Sequence, residues 1–140
     1  MADLVFGLIL AAARRIPELD RYVKDGKWQT GSDNHLFGMD VHHTRLGIIG
    51  MGRIGEAVAR RAKFGFSMDV AYFNRTRKNG GRAKLGVKYR TLQDLLQESD
   101  FVVLMTPLTA ETVHLIGREE LALMKKNSDL YQCFPGSNGG

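Results

Sequence analysis

Short apolar runs alternate with amphipathic runs from residue 45 onward. Four of the apolar runs predict strands, at residues 45–50, 70–73, 87–89 and 101–106. The last is apolar almost throughout, as expected of a strand that is buried on both faces. Because helical patterns separate the runs and no hairpin signal joins them, we expect a doubly wound parallel α/β sheet in three layers.

The segments between the predicted strands carry helical spacing. In residues 54–64 the apolar positions recur every three or four residues, and most basic positions lie elsewhere on the helix. Another helix is predicted after Thr91, whose hydroxyl would cap it with Asp94 at the capping-box position. Residues 118–124 predict one more short helix.

The first 25 residues predict a long helix that begins near residue 4 and is kinked at Pro17. Its first three turns are apolar nearly all round, so a single neighbouring layer would leave part of them uncovered. We therefore expect a partner subunit or another domain to cover this helix. Residues 26–44, rich in glycine and polar turn formers, predict a connector.

The first strand leads into residues 50–55, G-M-G-R-I-G, which we call the glycine loop. In a dinucleotide site Gly50 permits the tight turn, Gly52 lets the backbone approach a pyrophosphate, and Gly55 lets the helix pack on the strand. The helix N-terminus then offers N–H groups and partial positive charge to the phosphates. The alternative is a plain strand–turn–helix without a ligand.

The end of the second strand indicates which dinucleotide is preferred. An NAD-selective site places an Asp or Glu there to bind the ribose hydroxyls. This chain has the neutral Asn74, 19 residues after Gly55, followed by Arg75 and Arg77. Because a guanidinium can clamp a 2′-phosphate with two hydrogen bonds, we expect NADPH to be favoured over NADH. The alternative is that one of the two arginines merely faces water.

Composition is that of an ordinary globular chain, with 44% hydrophobic and 25% charged residues among 140. The single Cys133 excludes an internal disulfide framework and fits a reducing compartment. The apolar run at residues 4–13 is too short to span a bilayer, and its flanking charges have the wrong order for a signal peptide. We expect a cytoplasmic chain with no membrane partner.

The net charge of +5 raises the question of nucleic acid. A local cluster accounts for as many charges as the whole excess: Arg75, Arg77, Lys78, Arg82 and Lys84. Beside a phosphate-binding turn, such a cluster favours a small phosphorylated ligand, so we expect no nucleic-acid partner. If the adjacent His42 and His43 lay on a strand, they would point to opposite faces. We therefore expect ordinary surface or turn histidines and no metal site there.

The chain resembles the D-isomer-specific 2-hydroxyacid dehydrogenases over about residues 2–125. The resemblance rests on residues 46–55 (LGIIGMGRIG), 100–112 (DFVVLMTPLTAET), 114–117 (HLIG) and the opening 2–10 (ADLVFGLIL). Asn74 and the two following arginines make the NADP-leaning glyoxylate, hydroxypyruvate and 2-ketogluconate reductases the most similar branch. The resemblance implies a Rossmann-type domain of a two-domain, usually dimeric enzyme, with the first helix at the dimer interface.

The resemblance also implies contacts with the cofactor. Arg53 and Ile54 would meet the pyrophosphate through the loop backbone, with Gly50, Gly52 and Gly55 shaping the loop. The adenosine end would be held by Asn74, Arg75 and Arg77. The nicotinamide end would be lined by Thr106, Pro107 and Thr112.

The implied domain plan is an interface helix at 1–25, the connector at 26–44, an NAD(P)-binding domain at 45–135 and a flexible tail at 136–140. The substrate domain is expected to be absent and the last strands of the sheet incomplete. The family's catalytic arginine would align with Pro135, and no residue matches its glutamate or histidine. We therefore expect an inactive cofactor domain of a reductase; the alternative is a non-catalytic nucleotide-binding or interaction module.

Overall fold

The computed structural model describes residues 1–27, 38–74, 86–105, 122–125 and 129–132. Within these ranges it has four helices of seven or more residues and five strands. They are α1 (Ala2–Ala13), α2 (Ile16–Lys24), β1 (Arg45–Ile49), α3 (Arg53–Phe66), β2 (Asp69–Phe73), β3 (Lys88–Tyr89), α4 (Leu92–Glu98), β4 (Phe101–Leu104) and β5 (Asp129–Gln132).

The five strands form one parallel sheet in the order β3-β2-β1-β4-β5. Leu46 of the central strand β1 pairs with Val70 on one side and Phe101 on the other. The strand order reverses between β1 and β4, and ligands of such sheets bind at the carboxyl ends of the strands at this switch point. The predicted doubly wound parallel fold is confirmed.

The sheet is covered on both faces, which confirms the three layers. Leu46 and Ile48 of β1 belong to the larger core cluster, which includes the buried residues of α1 and α3. Ile49 belongs to the smaller cluster on the opposite face, with Leu95 and Leu96 of α4. The alternation along β1 therefore places α1 and α3 on one side and α4 on the other.

Helix α4 lies unusually close to β1 because Gly47 has no side chain. A Cβ at Gly47 would lie 2.5 Å from both Leu95 Cδ2 and Ser99 Oγ, closer than such atoms can approach. Both Leu95 and Ser99 are buried. The glycine in the middle of the strand thus sets the distance between the sheet and this helix.

The predicted single N-terminal helix is wrong, because the chain forms two helices there. Helix α1 ends at Ala13, and Arg15 has a left-handed backbone with φ of 56°. Pro17 lies in the first turn of α2, where its missing N–H removes no helical hydrogen bond. The proline therefore starts a helix where the sequence pattern predicts a kink.

Most of the other predicted boundaries hold within one or two residues. Thr91 caps α4 as predicted, since its Oγ1 accepts a hydrogen bond from the Asp94 N–H at 3.2 Å. The strand predicted at 101–106 ends at Leu104, and β5 was not predicted. The helix predicted at 118–124 falls mostly outside the described residues, and the tail at 136–140 lies wholly outside them.

The prediction of ordinary surface or turn histidines is confirmed, because His42 and His43 are exposed and lie in a turn. His43 has a positive φ of 65°, and the two imidazole centroids lie 3.7 Å apart.

In the described part of the chain, no helix is both long enough and apolar enough to cross a bilayer.

Replacing Gly47 with alanine should lower the free energy of unfolding by about 1–3 kcal/mol, because the new methyl group would overlap Leu95 and Ser99. Urea titration followed by circular dichroism measures the loss. The matched control is Gly65→Ala in α3, where a Cβ would meet nothing within 4 Å. That variant should gain about 0.5 kcal/mol, and equal losses at both glycines would contradict the close packing of α4.

Candidate dinucleotide-binding site

The glycine loop joins the carboxyl end of β1 to the first turn of α3. Gly50 has a φ of 96°, a conformation that L side chains rarely adopt. Its N–H donates to the Phe73 carbonyl oxygen at 2.9 Å, which ties the turn to the end of β2. The first glycine of the motif is therefore required by the backbone itself.

Gly52 is the N-cap of α3 and is exposed. A Cβ on this residue would meet no atom within 4 Å, so the backbone is open on that side. The first N–H groups of any helix lack acceptors within the helix, and no side chain caps α3. An open backbone with such donors and the positive end of a helix dipole fits a pyrophosphate.

Gly55 is buried where α3 packs on β1. A Cβ there would lie 3.2 Å from Met51 Sδ, 3.3 Å from the Gly50 carbonyl oxygen and 3.5 Å from Ile48 Cγ2. A larger residue would require the Met51 side chain, the Gly50 backbone or the helix itself to shift. The third glycine therefore keeps the helix N-terminus close to the carboxyl end of the sheet.

The carboxyl end of β4 lies beside the loop. The Met105 N–H donates to the Ile49 carbonyl oxygen at 2.7 Å, immediately before the glycine loop begins. Thr106 and Pro107 follow Met105 in the sequence but lie outside the described residues, as does Thr112. The described backbone thus leads from the glycine loop toward the segment predicted to line the nicotinamide end.

Asn74 directly follows β2, at the position where an NAD-selective site has a carboxylate. Its side chain is half-buried and contacts the glycine loop: Oδ1 accepts from the Met51 N–H at 2.6 Å, and Nδ2 donates to the Met51 carbonyl oxygen at 3.4 Å. The family resemblance implies a place for Asn74 at the adenosine end, and its described contacts are with the loop. Arg75 and Arg77 lie outside the described residues.

The other two predicted site residues begin α3. The Arg53 side chain is exposed and that of Ile54 is half-buried against the larger core cluster.

Met51 is a residue of the glycine loop that the motif does not single out, because it stands at a variable position of G-x-G-x-x-G. It is only 5% exposed, and the one signal for its burial is its apolar side chain between two glycines.

Comparison with known proteins identifies the family. The family model of the D-isomer specific 2-hydroxyacid dehydrogenase NAD-binding domain matches residues 6–132. This chain belongs to that family. Its resemblance to the family is confirmed, and the domain is one that binds a nicotinamide dinucleotide.

The most similar relatives include reductases of small 2-keto acids. The chain is 52% identical over 136 residues to the glyoxylate reductase of Korarchaeum cryptofilum, covering 96% of this chain and 41% of that protein. It is 51% identical over 137 residues to glyoxylate/hydroxypyruvate reductase B of Pectobacterium carotovorum, covering 98% and 43%. The chain therefore spans about two-fifths of the length of these relatives.

Solved structures of similar proteins have the same fold. The TT0316 protein from Thermus thermophilus matches with a TM-score of 0.83 at 44% identity, covering 94% of this chain and 40% of that one. A glyoxylate reductase from Paecilomyes thermophila matches with a TM-score of 0.80 at 35% identity, covering 94% and 38%.

The glycine loop should respond differently to substitution at its first and second glycines. Gly50→Ala should lose about 1–2 kcal/mol of unfolding free energy, because alanine is strained at positive φ. Gly52→Ser should stay within about 0.5 kcal/mol of the unchanged chain, because serine is a good N-cap. Its side chain should nevertheless weaken dinucleotide binding about tenfold, by occupying the open side of the backbone.

Thermal unfolding and calorimetric titration with NADPH and NADH measure these two effects separately. Gly52→Ser that folds and binds both dinucleotides like the unchanged chain would contradict the assignment of this backbone to the pyrophosphate.

Proposed function

We propose that this chain is the NADPH-binding part of an oxidoreductase that reduces small 2-keto acids such as glyoxylate, hydroxypyruvate or 2-ketogluconate to D-2-hydroxy acids. The observation that carries the proposal is the open glycine loop at the switch point of the sheet, in a chain of this family. The printed activities of the relatives from Korarchaeum and Pectobacterium support the substrate class.

The chain's own residues bind and orient the dinucleotide. The backbone at Gly52, Arg53 and Ile54 holds the pyrophosphate, while Thr106, Pro107 and Thr112 line the nicotinamide end. When bound, NADPH supplies the reducing equivalent for the carbonyl carbon of the substrate. No residue of this chain is assigned to the family's catalytic arginine, glutamate or histidine, so these 140 residues are proposed to bind cofactor without turning over substrate.

The preference for NADPH follows from charge at the end of β2. Asn74 is neutral, and it is followed by Arg75 and Arg77 with no carboxylate before β3. A carboxylate at this end of the strand would repel a 2′-phosphate. A guanidinium attracts it and can form two parallel hydrogen bonds with it.

Arg75→Ala and Arg77→Ala should each weaken NADPH binding about tenfold, because each removes a charge-assisted contact with the 2′-phosphate. NADH, which lacks that phosphate, should bind within about twofold of the unchanged chain. Calorimetric titration of both dinucleotides gives the two constants. Arg60→Ala, an exposed cation on α3, is the matched control for a loss of positive charge alone.

The NADPH preference would be contradicted if the unchanged chain bound NADH as tightly as NADPH and neither loop variant altered the ratio. If Arg60→Ala weakened NADPH binding equally, the loss of affinity would reflect the net charge of the chain and not a contact with the 2′-phosphate.

The N-terminal helix carries the proposed dimer interface. In α1, Val5 and Ile9 are fully buried, whereas Leu4 is 58% and Leu8 46% exposed. Leu4 and Leu8 lie four residues apart, so they share one face of the helix and leave an apolar stripe outside the described core. We propose that a second copy of this chain covers the stripe, as the family resemblance implies.

The double substitution Leu4→Glu and Leu8→Glu should shift the chain from dimer to monomer, because it places charges on the apolar stripe. The free energy of unfolding of the monomer should change little, since both side chains are substantially exposed within one copy. Analytical ultracentrifugation measures the distribution. Phe64→Glu is the control, since Phe64 is an exposed apolar side chain on α3, at 69%.

Dimers that survive the double substitution would contradict this interface. Dimers that are lost with Phe64→Glu alone would move the interface to α3.

A further inference from the structure

The end of β2 and the glycine loop are joined by three hydrogen bonds. One is between backbones, from the Gly50 N–H to the Phe73 carbonyl oxygen at 2.9 Å. The other two use a single side chain, since the Asn74 carboxamide accepts from the Met51 N–H at 2.6 Å and donates to the Met51 carbonyl oxygen at 3.4 Å. Asn74 thus contacts both polar groups of one backbone residue.

Met51 is the residue through which Asn74 restrains the loop. It lies between two glycines, so neither neighbour restrains the loop through a side chain. The first glycine has a positive φ, and a Cβ added to the second would meet no atom within 4 Å. Glycine has more backbone freedom than any other residue. The Asn74 carboxamide therefore adds a restraint at the peptide groups that lead into Gly52 and the start of α3.

We propose that Asn74 is a positioning residue for the phosphate-binding loop, acting through the Met51 backbone. The carboxamide holds the loop in the one arrangement that keeps the backbone at Gly52 open in front of the helix N-terminus. Because it acts on the loop, this role serves any dinucleotide with a pyrophosphate and is independent of the 2′-phosphate. The inference rests on the proposed dinucleotide site but not on its preference for NADPH.

A carboxamide suits this contact better than the other side chains of its size. It provides one acceptor and one donor in a plane, matching the N–H and the carbonyl oxygen of a single residue. An ionised aspartate could accept from the Met51 N–H but could not donate to its carbonyl oxygen. Alanine would provide neither group, so both hydrogen bonds between residue 74 and the Met51 backbone would be lost.

The test compares Asn74→Ala with Arg75→Ala in calorimetric titrations of NADH and NADPH, under conditions where each variant is fully folded by circular dichroism. Asn74→Ala should weaken both dinucleotides by the same factor, about tenfold. Arg75→Ala should weaken NADPH alone. Amide hydrogen exchange of the ligand-free chain supplies the second measurement: protection at Met51 should fall in Asn74→Ala and remain in Arg75→Ala.

Each other outcome has a distinct meaning. Unchanged affinities in Asn74→Ala, with or without a loss of stability, would overturn the positioning role, because a merely structural contact would not alter binding by folded protein. A loss confined to NADPH would overturn it by placing Asn74 at the 2′-phosphate. If the unchanged chain bound neither dinucleotide, the proposed function would fail instead, and that result is read from the unchanged chain alone.

Discussion

The short turn between β1 and α3 is the constraint on which the site depends. Only residues 50–52 separate the strand from the helix, so α3 must begin directly beyond the carboxyl end of β1. That connection requires a positive φ at Gly50 and a close approach of the helix at Gly55. The same geometry presents the first N–H groups of α3 at the carboxyl ends of β1 and β4, where the strand order reverses.

The central strand is held from both faces by contacts that depend on glycine. Helix α3 approaches it at Gly55 on one face, and α4 approaches it at Gly47 on the other. Between these contacts Leu46, Ile48 and Ile49 are almost completely buried. Because β1 is firmly packed, the start of the glycine loop is already fixed before a ligand binds. Binding therefore costs less conformational entropy. Asn74 extends this restraint to the middle of the loop.

Local patterns were sufficient wherever neighbouring residues decide the structure. The Thr91 cap, the helix after the glycine loop and the parallel sheet follow from spacing over a few residues. The break between the first two helices at Arg15 does not follow from local spacing. A proline within a helical pattern is compatible with a kinked helix or with the start of a second helix. Strand β5 was missed because Leu130 and Tyr131 alone make too short an apolar run. The Asn74–Met51 contact spans 23 positions and depends on the register that pairs Ile49 with Phe73, which no local pattern contains.

Nuclear magnetic resonance of the ¹⁵N-labelled chain is the most direct test of the proposal that a nicotinamide dinucleotide binds at the start of α3. Titration with NADPH should shift the amide signals of Gly52, Arg53 and Ile54 first and most. The amides of Asp69 and Gly86, which lie near the opposite end of the strands, should stay in place. Saturating shifts centred on those distant amides, or no shift at the glycine loop, would contradict binding at the start of α3.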